Sequence, residues 1–401
     1  MKLLPIALVV ALLFSNSLYA QNDAKVQMLE KKTAELSKAV TELQNSQERV
    51  NELENQMSSL AKFVNTIPLH GFMDVLAGYN GETQRTEFRT GAVDFYLTKN
   101  IGSHVKTLIE LIFETDGDDL VTDLERFQIG YEFDNGIIAW MGRFHTPYGY
   151  WNTAFHHGAQ IQTSIYRPKF VDFEDAGGIL PAHSTGFWAV GEIGNFGYDI
   201  YVTNGSNILS SPENDANTPT FGELNMNKGG DDNADKAIGT NLYYNFDDLR
   251  LGVHSLTQEV QIFNGSQSTL NMYGGYFVYD DSDFEIISEV YLFNNKNTID
   301  TINAANSGKS YSSYATFTQV AYGFTEDWTA FVRYEKTDLN TDDVYFASQL
   351  DTTGNSYTRV ALGAKYDLNE ESALKFEYMN TDEKAATRKI NDFILQYAVR
   401  F

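Results

Sequence analysis

The feature that most constrains this chain is a two-residue alternation of apolar and polar side chains that sets in after Pro68 and holds to Phe401. A period of two puts successive side chains on opposite faces of a strand. In the segment 69–80, Leu69, Met73, Val75, Ala77 and Tyr79 share one face, and His70, Asp74 and Asn80 share the other. Val93, Phe95 and Leu97 oppose Asp94, Tyr96 and Thr98 in the same way. Val105, Ile109, Leu111 and Phe113 oppose Lys106, Glu110 and Glu114, and Phe127, Ile129, Tyr131 and Phe133 oppose Arg126, Gln128 and Glu132. Continued to the end, the pattern predicts about sixteen strands, over 69–80, 87–100, 104–115, 123–134, 136–146, 185–193, 196–205, 235–245, 249–258, 269–280, 284–293, 311–324, 328–337, 356–367, 372–380 and 390–401.

The connections decide between the architectures that share this period. Short turns at Asn100–Ser103, Asp134-Asn135-Gly136, Phe246-Asp247-Asp248 and Thr325-Glu326-Asp327 alternate with segments of up to about 39 residues. A transmembrane barrel has short turns at one rim and long loops at the other, whereas a soluble sandwich has no reason to gather its long loops at one end. Aromatic residues make up 14% of the chain, with Tyr and Phe far above Trp, as expected where strand ends carry aromatic girdles. No apolar run after the first twenty residues is long enough for a membrane helix, but a barrel strand shows only alternate residues to lipid. The expected fold is therefore all-β, a transmembrane barrel of antiparallel strands whose partner is outer-membrane lipid.

Lys2, the apolar run Leu3–Phe14 and the polar, small-residue stretch Ser15–Ala20 read as a signal peptide cleaved after Ala20. The chain has no Cys, which closes the lipid-anchor route and leaves no disulfide. Over 21–66 the chain is rich in Glu, Lys, Gln, Ser and Leu, and Leu29, Leu36, Leu43, Val50, Met57 and Val64 recur every seven residues. Val26, Thr33 and Val40, then Leu53, Leu60 and Ile67, supply the second column of the seam. This predicts a periplasmic coiled coil about 65 Å long at 1.5 Å per residue, ended by Pro68; the alternative is a single helix packed back on its own chain. The domains expected are 1–20 signal peptide, 21–66 coiled coil and 67–401 barrel. The formal net charge of −25 excludes nucleic acid as a partner, and the acids at 116–119, 231–235 and 341–343 read as solvated loops.

Phe393, Leu395, Tyr397, Val399 and Phe401 occupy one face of the last strand, and the chain stops at an aromatic residue. This resembles the C-terminal assembly signal of outer-membrane barrels. The whole layout resembles the trimeric Gram-negative porins, and a stalk before the barrel is similar to the DcaP-like subgroup. Gly142-Arg143-Phe144-His145-Thr146-Pro147 resembles a strand-end Pro motif of the phosphate-selective group. The resemblance implies a homotrimer that passes small polar solutes and ions passively, without a cofactor. Phosphate-selective members use a Lys-rich pore, and this sequence has few inward Lys. The alternative is a structural or adhesive barrel whose outer loops bind ligands. The stalk, in turn, could contact peptidoglycan or a periplasmic protein.

The third long loop, Thr146–Thr185, is the longest, and the resemblance implies that it folds into the barrel. Asp172, Glu174 and Asp175 would then face the inward-pointing Arg126, Arg143, Arg333 and Arg359 across a constriction. Ordinary loop and wall charges in local pairs are the competing explanation. Strand parity gives about twelve acidic and nine basic inward side chains, a near balance that implies weak selectivity. His145, His156, His157 and His183 lie near these acids, but their spacing matches no structural zinc site. No nucleophile motif such as G-x-S-x-G is present, so no enzyme and no metal centre is expected.

Overall fold

In the computed structural model Leu69–Asn80 forms β1, Arg85–Ile101 β2, Val105–Asp116 β3, Asp119–Glu132 β4, Ile138–His145 β5, His183–Ile193 β6 and Phe196–Asn204 β7. Asn207–Ser210 and Gly222–Asn225 make a small hairpin, β8 and β9. The wall resumes with Lys236–Phe246 (β10), Leu249–Ile262 (β11), Gln267–Asp280 (β12), Phe284–Ile299 (β13), Ser310–Gly323 (β14), Trp328–Asp338 (β15), Tyr357–Asn369 (β16), Ser372–Glu383 (β17) and Ile390–Arg400 (β18). The described residues are 31–47, 49, 69–116, 119–155, 158–173, 177–210, 222–226, 230–231, 235–349, 356–384 and 388–401.

All eighteen strands belong to one sheet, and setting aside β8 and β9 leaves sixteen that form a ring. β7 pairs with β10 across the hairpin, and β18 pairs with β1 from Phe72↔Arg400 to Tyr79↔Phe393. The ring therefore has no open edge, so its backbone groups are paired within the wall, as a lipid environment demands. The hairpin joins the sheet through a short parallel contact, Gln261↔Asn207 and Ile262↔Ile208. Alternation along the chain did not predict it, because two four-residue strands are too short to show a period.

The two faces of the wall differ in the sense expected of a membrane barrel. Met73, Val75, Phe127, Ile200, Val253, Val332, Leu362 and Leu395 are exposed on the outside, whereas Asp94, Glu110, Gln128, Asn241, Gln319, Glu335 and Glu377 are buried inside. Aromatic pairs gather at the short-turn rim: Tyr131 with Phe133, Tyr244 with Phe246, Phe284 with Tyr322 and Trp328 with Tyr366, at 4.5 to 5.0 Å between centroids. Toward the other rim β11 to β13 invert this pattern. Thr257, Asn294 and Lys296 are outside there, and Leu256, Val260, Ile262, Leu270, Met272 and Phe293 are buried inside. These strand ends stand clear of the apolar band, and their inner faces pack against loops. Tyr148, Trp151, Phe170, Ile179 and Leu180 of the third long loop, Ile208 and Leu224 of the hairpin, and Val344–Phe346 of a short helix share one apolar core with them.

The division of the chain falls between Ile67 and Pro68. Before it, 31–47 are helical, and Leu36, Val40 and Leu43 are all more than half exposed on that helix. The expected signal peptide, and Leu29, Val50, Met57 and Val64 of the expected seam, lie outside the described residues.

Candidate functional site

β5 and β6 pair down to His145↔His183, and the loop between them turns into the lumen. A non-helical backbone inside a membrane barrel needs partners for its amide groups, and the wall supplies them as side chains. Glu289 of β13 accepts from Trp151 N at 2.7 Å and Tyr150 N at 3.2 Å. Glu377 of β17 accepts from Ile165 N at 2.6 Å and Tyr166 N at 3.2 Å, and Glu335 of β15 accepts from Lys169 N at 2.8 Å. Tyr357 accepts from Phe170 N and donates to Glu335, both at 3.0 Å. In the other direction Arg333 donates to the carbonyls of Tyr166 and Arg167, at 3.0 and 3.3 Å. Lys375 donates to those of Gln162 and Ser164, at 2.6 and 3.1 Å, and of Ala159. The loop is thus laid against the β13–β17 side of the wall.

The stem of the loop is held by a second set of charges. His183 Nε2 is 2.7 Å from Glu125 and His145 Nε2 is 3.7 Å from Glu110. Arg143 lies 3.5 Å from Glu125, and Arg126 pairs with Glu110. Glu125 and Arg126 are neighbours in sequence, yet the outward pair Leu124 and Phe127 flanks them. A bulge in the β3–β4 register, between Glu110 and Leu111, admits the extra residue, and simple parity misses it.

The expected constriction residues are distributed as follows. Arg333 is fully buried between Glu335, at 2.9 Å, and Glu377, at 3.5 Å, while Arg359 donates to Thr381 at 2.8 Å beneath the Tyr357 ring. Neither these two nor Arg126 and Arg143 line the opening that the loop leaves. Asp172 does line it; it lies 3.8 Å from Arg167 of its own loop and also interacts electrostatically with Arg359. Glu174, Asp175, His156 and His157 lie outside the described residues. These four wall arginines are turned toward wall and loop partners and not toward the opening.

The opening is a cavity of about 770 Å³ beside that arc, between the loop and β1, β2, β3 and β18. From the loop come Phe155, Gly158, Tyr166, Arg167, Asp172 and Phe173, and from the wall Asp74, Glu87, Arg89, Glu114 and Gln396. Arg89 donates to the Tyr166 hydroxyl at 2.5 Å, a bridge from wall to loop. Sequence parity placed Asp74 and Glu114 on the inner face but gave no sign that they meet the loop. The fold is that of the porins. The structure is similar to the anion-selective porin of Comamonas acidovorans, with a TM-score of 0.58 and 12% identity over 84% of this chain and 99% of that one. It is similar also to the outer membrane channel DcaP of Acinetobacter baumannii, with a TM-score of 0.57 and 11% identity over 84% and 97%. OmpT of Vibrio cholerae, solved in a trimer form, gives 0.56 and 12% over 84% and 99%. No family model and no curated relative matches the sequence. Within this porin fold, among the described residues, no group of three or more His, Asp or Glu side chains is placed to hold a metal.

Proposed function

We propose that this chain is an outer-membrane porin through which small polar solutes and ions diffuse passively. The observation that carries the reading is the division of the lumen. A loop with its backbone satisfied by wall side chains fills the β13–β17 side, and a charged, water-accessible cavity stays open beside β1–β3 and β18. A closed sixteen-stranded wall is wide enough to leave such a channel, and its exposed apolar outer face suits lipid. The working form is a homotrimer, supported by the likeness to OmpT in its trimer form. Residues 21–66 act as a periplasmic coiled coil, supported by the exposed Leu36, Val40 and Leu43 on the helix over 31–47. Purified protein in planar bilayers should give stepwise, ohmic current increments. A silent bilayer, with protein that still runs as a folded, heat-modifiable barrel, would overturn the reading.

A further inference from the structure

The near balance of inward charge along the whole wall does not extend to the opening. Among the described residues four acids line it, Asp74, Glu87, Glu114 and Asp172, against two arginines, Arg89 and Arg167. Both arginines are engaged. Arg89 is held by Glu87 at 3.1 Å and by the Tyr166 hydroxyl. Arg167 donates to Asn152 at 2.7 Å and to Val171 O at 2.7 and 3.0 Å, with its guanidinium 4.6 Å above the Phe173 ring. Lys375, opposite Gln396 in the sheet, gives its ammonium to three loop carbonyls and does not line the cavity.

Asp74 is placed there by a local break in the sheet. Between the pairs Met73↔Val93 and Val75↔Thr90, the two residues Gly91 and Ala92 oppose Asp74 alone. Its carboxylate lies over Gly91, where an added Cβ would stand 2.3 Å from Oδ1. Its donors are Ala92 N at 3.1 Å and Gln396 Nε2 at 2.8 Å, both neutral.

A second, independent feature points the same way. Gln162 and Gln396, each 5% exposed, both line the cavity, and the Oε1 of each has no hydrogen-bond partner among the described residues. Their orientation is fixed, because Gln162 Nε2 donates to Ile165 O at 2.7 Å and Gln396 Nε2 donates to Asp74. Unpaired amide oxygens around an acid add negative potential to the opening, which favours a cation over an anion.

We propose that this opening selects for cations, inorganic or amine-bearing, over anions, with Asp74 as the selecting charge and the amide oxygens of Gln162 and Gln396 adding to its negative potential. The inference rests on the porin reading. Reversal potentials across a potassium chloride gradient should show potassium favoured over chloride in the wild type. Asp74→Asn should lower that permeability ratio by about twofold or more, since exposed charges act over only about 8 Å at 0.15 M salt. Glu114→Gln should lower it in the same direction and serves if Asp74→Asn does not fold. Asp199→Asn, at a buried wall acid that does not line the opening, should leave the ratio unchanged. Proteoliposomes should swell faster in arginine than in glutamate of equal osmolarity. An unselective or anion-selective wild-type pore, or an unchanged ratio in both folded acid variants, would overturn the inference and leave the pore standing. Absence of any current would instead overturn the porin reading beneath it.

Discussion

Closing a ring of strands puts special demands on the residues at the seam. Phe401 exchanges both backbone hydrogen bonds with Gly71, at 2.9 and 3.0 Å, and its ring packs edge-on to Phe95 at 5.7 Å. The ring occupies the space that a side chain at position 71 would need, since an added Cβ would stand 2.5 Å from both Phe401 Cζ and the Asp94 carbonyl oxygen. Moving the ring aside relieves only one of the two contacts. Gly71→Ala should therefore cost about 1–3 kcal/mol, the usual penalty of overpacking. The midpoint of urea unfolding in detergent, followed by the folded band on unheated gels, should fall. Adding Phe401→Ala should not restore it, and an unchanged midpoint in Gly71→Ala alone would show that the seam is looser than drawn. The alternating face of the last strand was evident in the sequence, and Phe393, Leu395, Tyr397 and Phe401 are exposed on the outer wall as that alternation requires. The reason for a glycine at 71 was not, because one obstacle, Phe401, is at the far end of the chain and the other, the Asp94 carbonyl, is on the neighbouring strand.

At the scale of elements, the loop between β5 and β6 depends on wall side chains rather than on regular structure of its own. Arg333 sits at the centre, bonded to two loop carbonyls, Gln319, Glu335 and Glu377. Replacing it with Met would leave Glu377 buried without its paired cation and Glu335 with Arg359 alone, a loss of about 3–5 kcal/mol for a broken buried pair. Arg333→Met should therefore loosen the loop while the apolar outer wall persists. Open-channel current noise should rise and proteases should cut within the loop, and a quiet channel with a protected loop would show that the remaining wall contacts suffice. The length of this segment and its crowd of charges were legible before folding. Which charges meet was not: alternation assigns faces strand by strand, and the extra residues at Glu125 and opposite Asp74 break that assignment locally. The apolar inner faces of β11 to β13 near the long-loop rim follow from loops packing there. Leu256, Val260 and Ile262 signal it, because the apolar residues of β11 change from odd to even positions partway along the strand.

At the scale of the whole molecule, the barrel accounts for its own closure, whereas the helix over 31–47 has an apolar stripe that no described residue of its own unit covers. A helix in water does not keep Leu36, Val40 and Leu43 exposed at low cost, so association with copies of itself is the economical solution. Deleting 21–66 should leave a barrel that refolds in detergent, and should lower the temperature at which the trimer dissociates on gels. A trimer of unchanged heat resistance, together with a monomeric isolated 21–66 peptide, would assign the helix to another partner.

The wall of about sixteen strands, most of their limits to within a few residues and the side of the wall on which most side chains fall were determined by the sequence alone; β11, which runs to Ile262, and β13, which runs to Ile299, are longer than the alternation predicts. Strand periodicity is a relation between adjacent residues, and the demand of lipid outside and water inside stamps it on every strand. The tertiary structure alone decided where the pore runs. Tyr166 meets Arg89, Glu377 meets the loop backbone and Asp74 faces the opening because a long loop settles against one arc of the wall and not another. That choice depends on distances across the lumen, which no local period encodes.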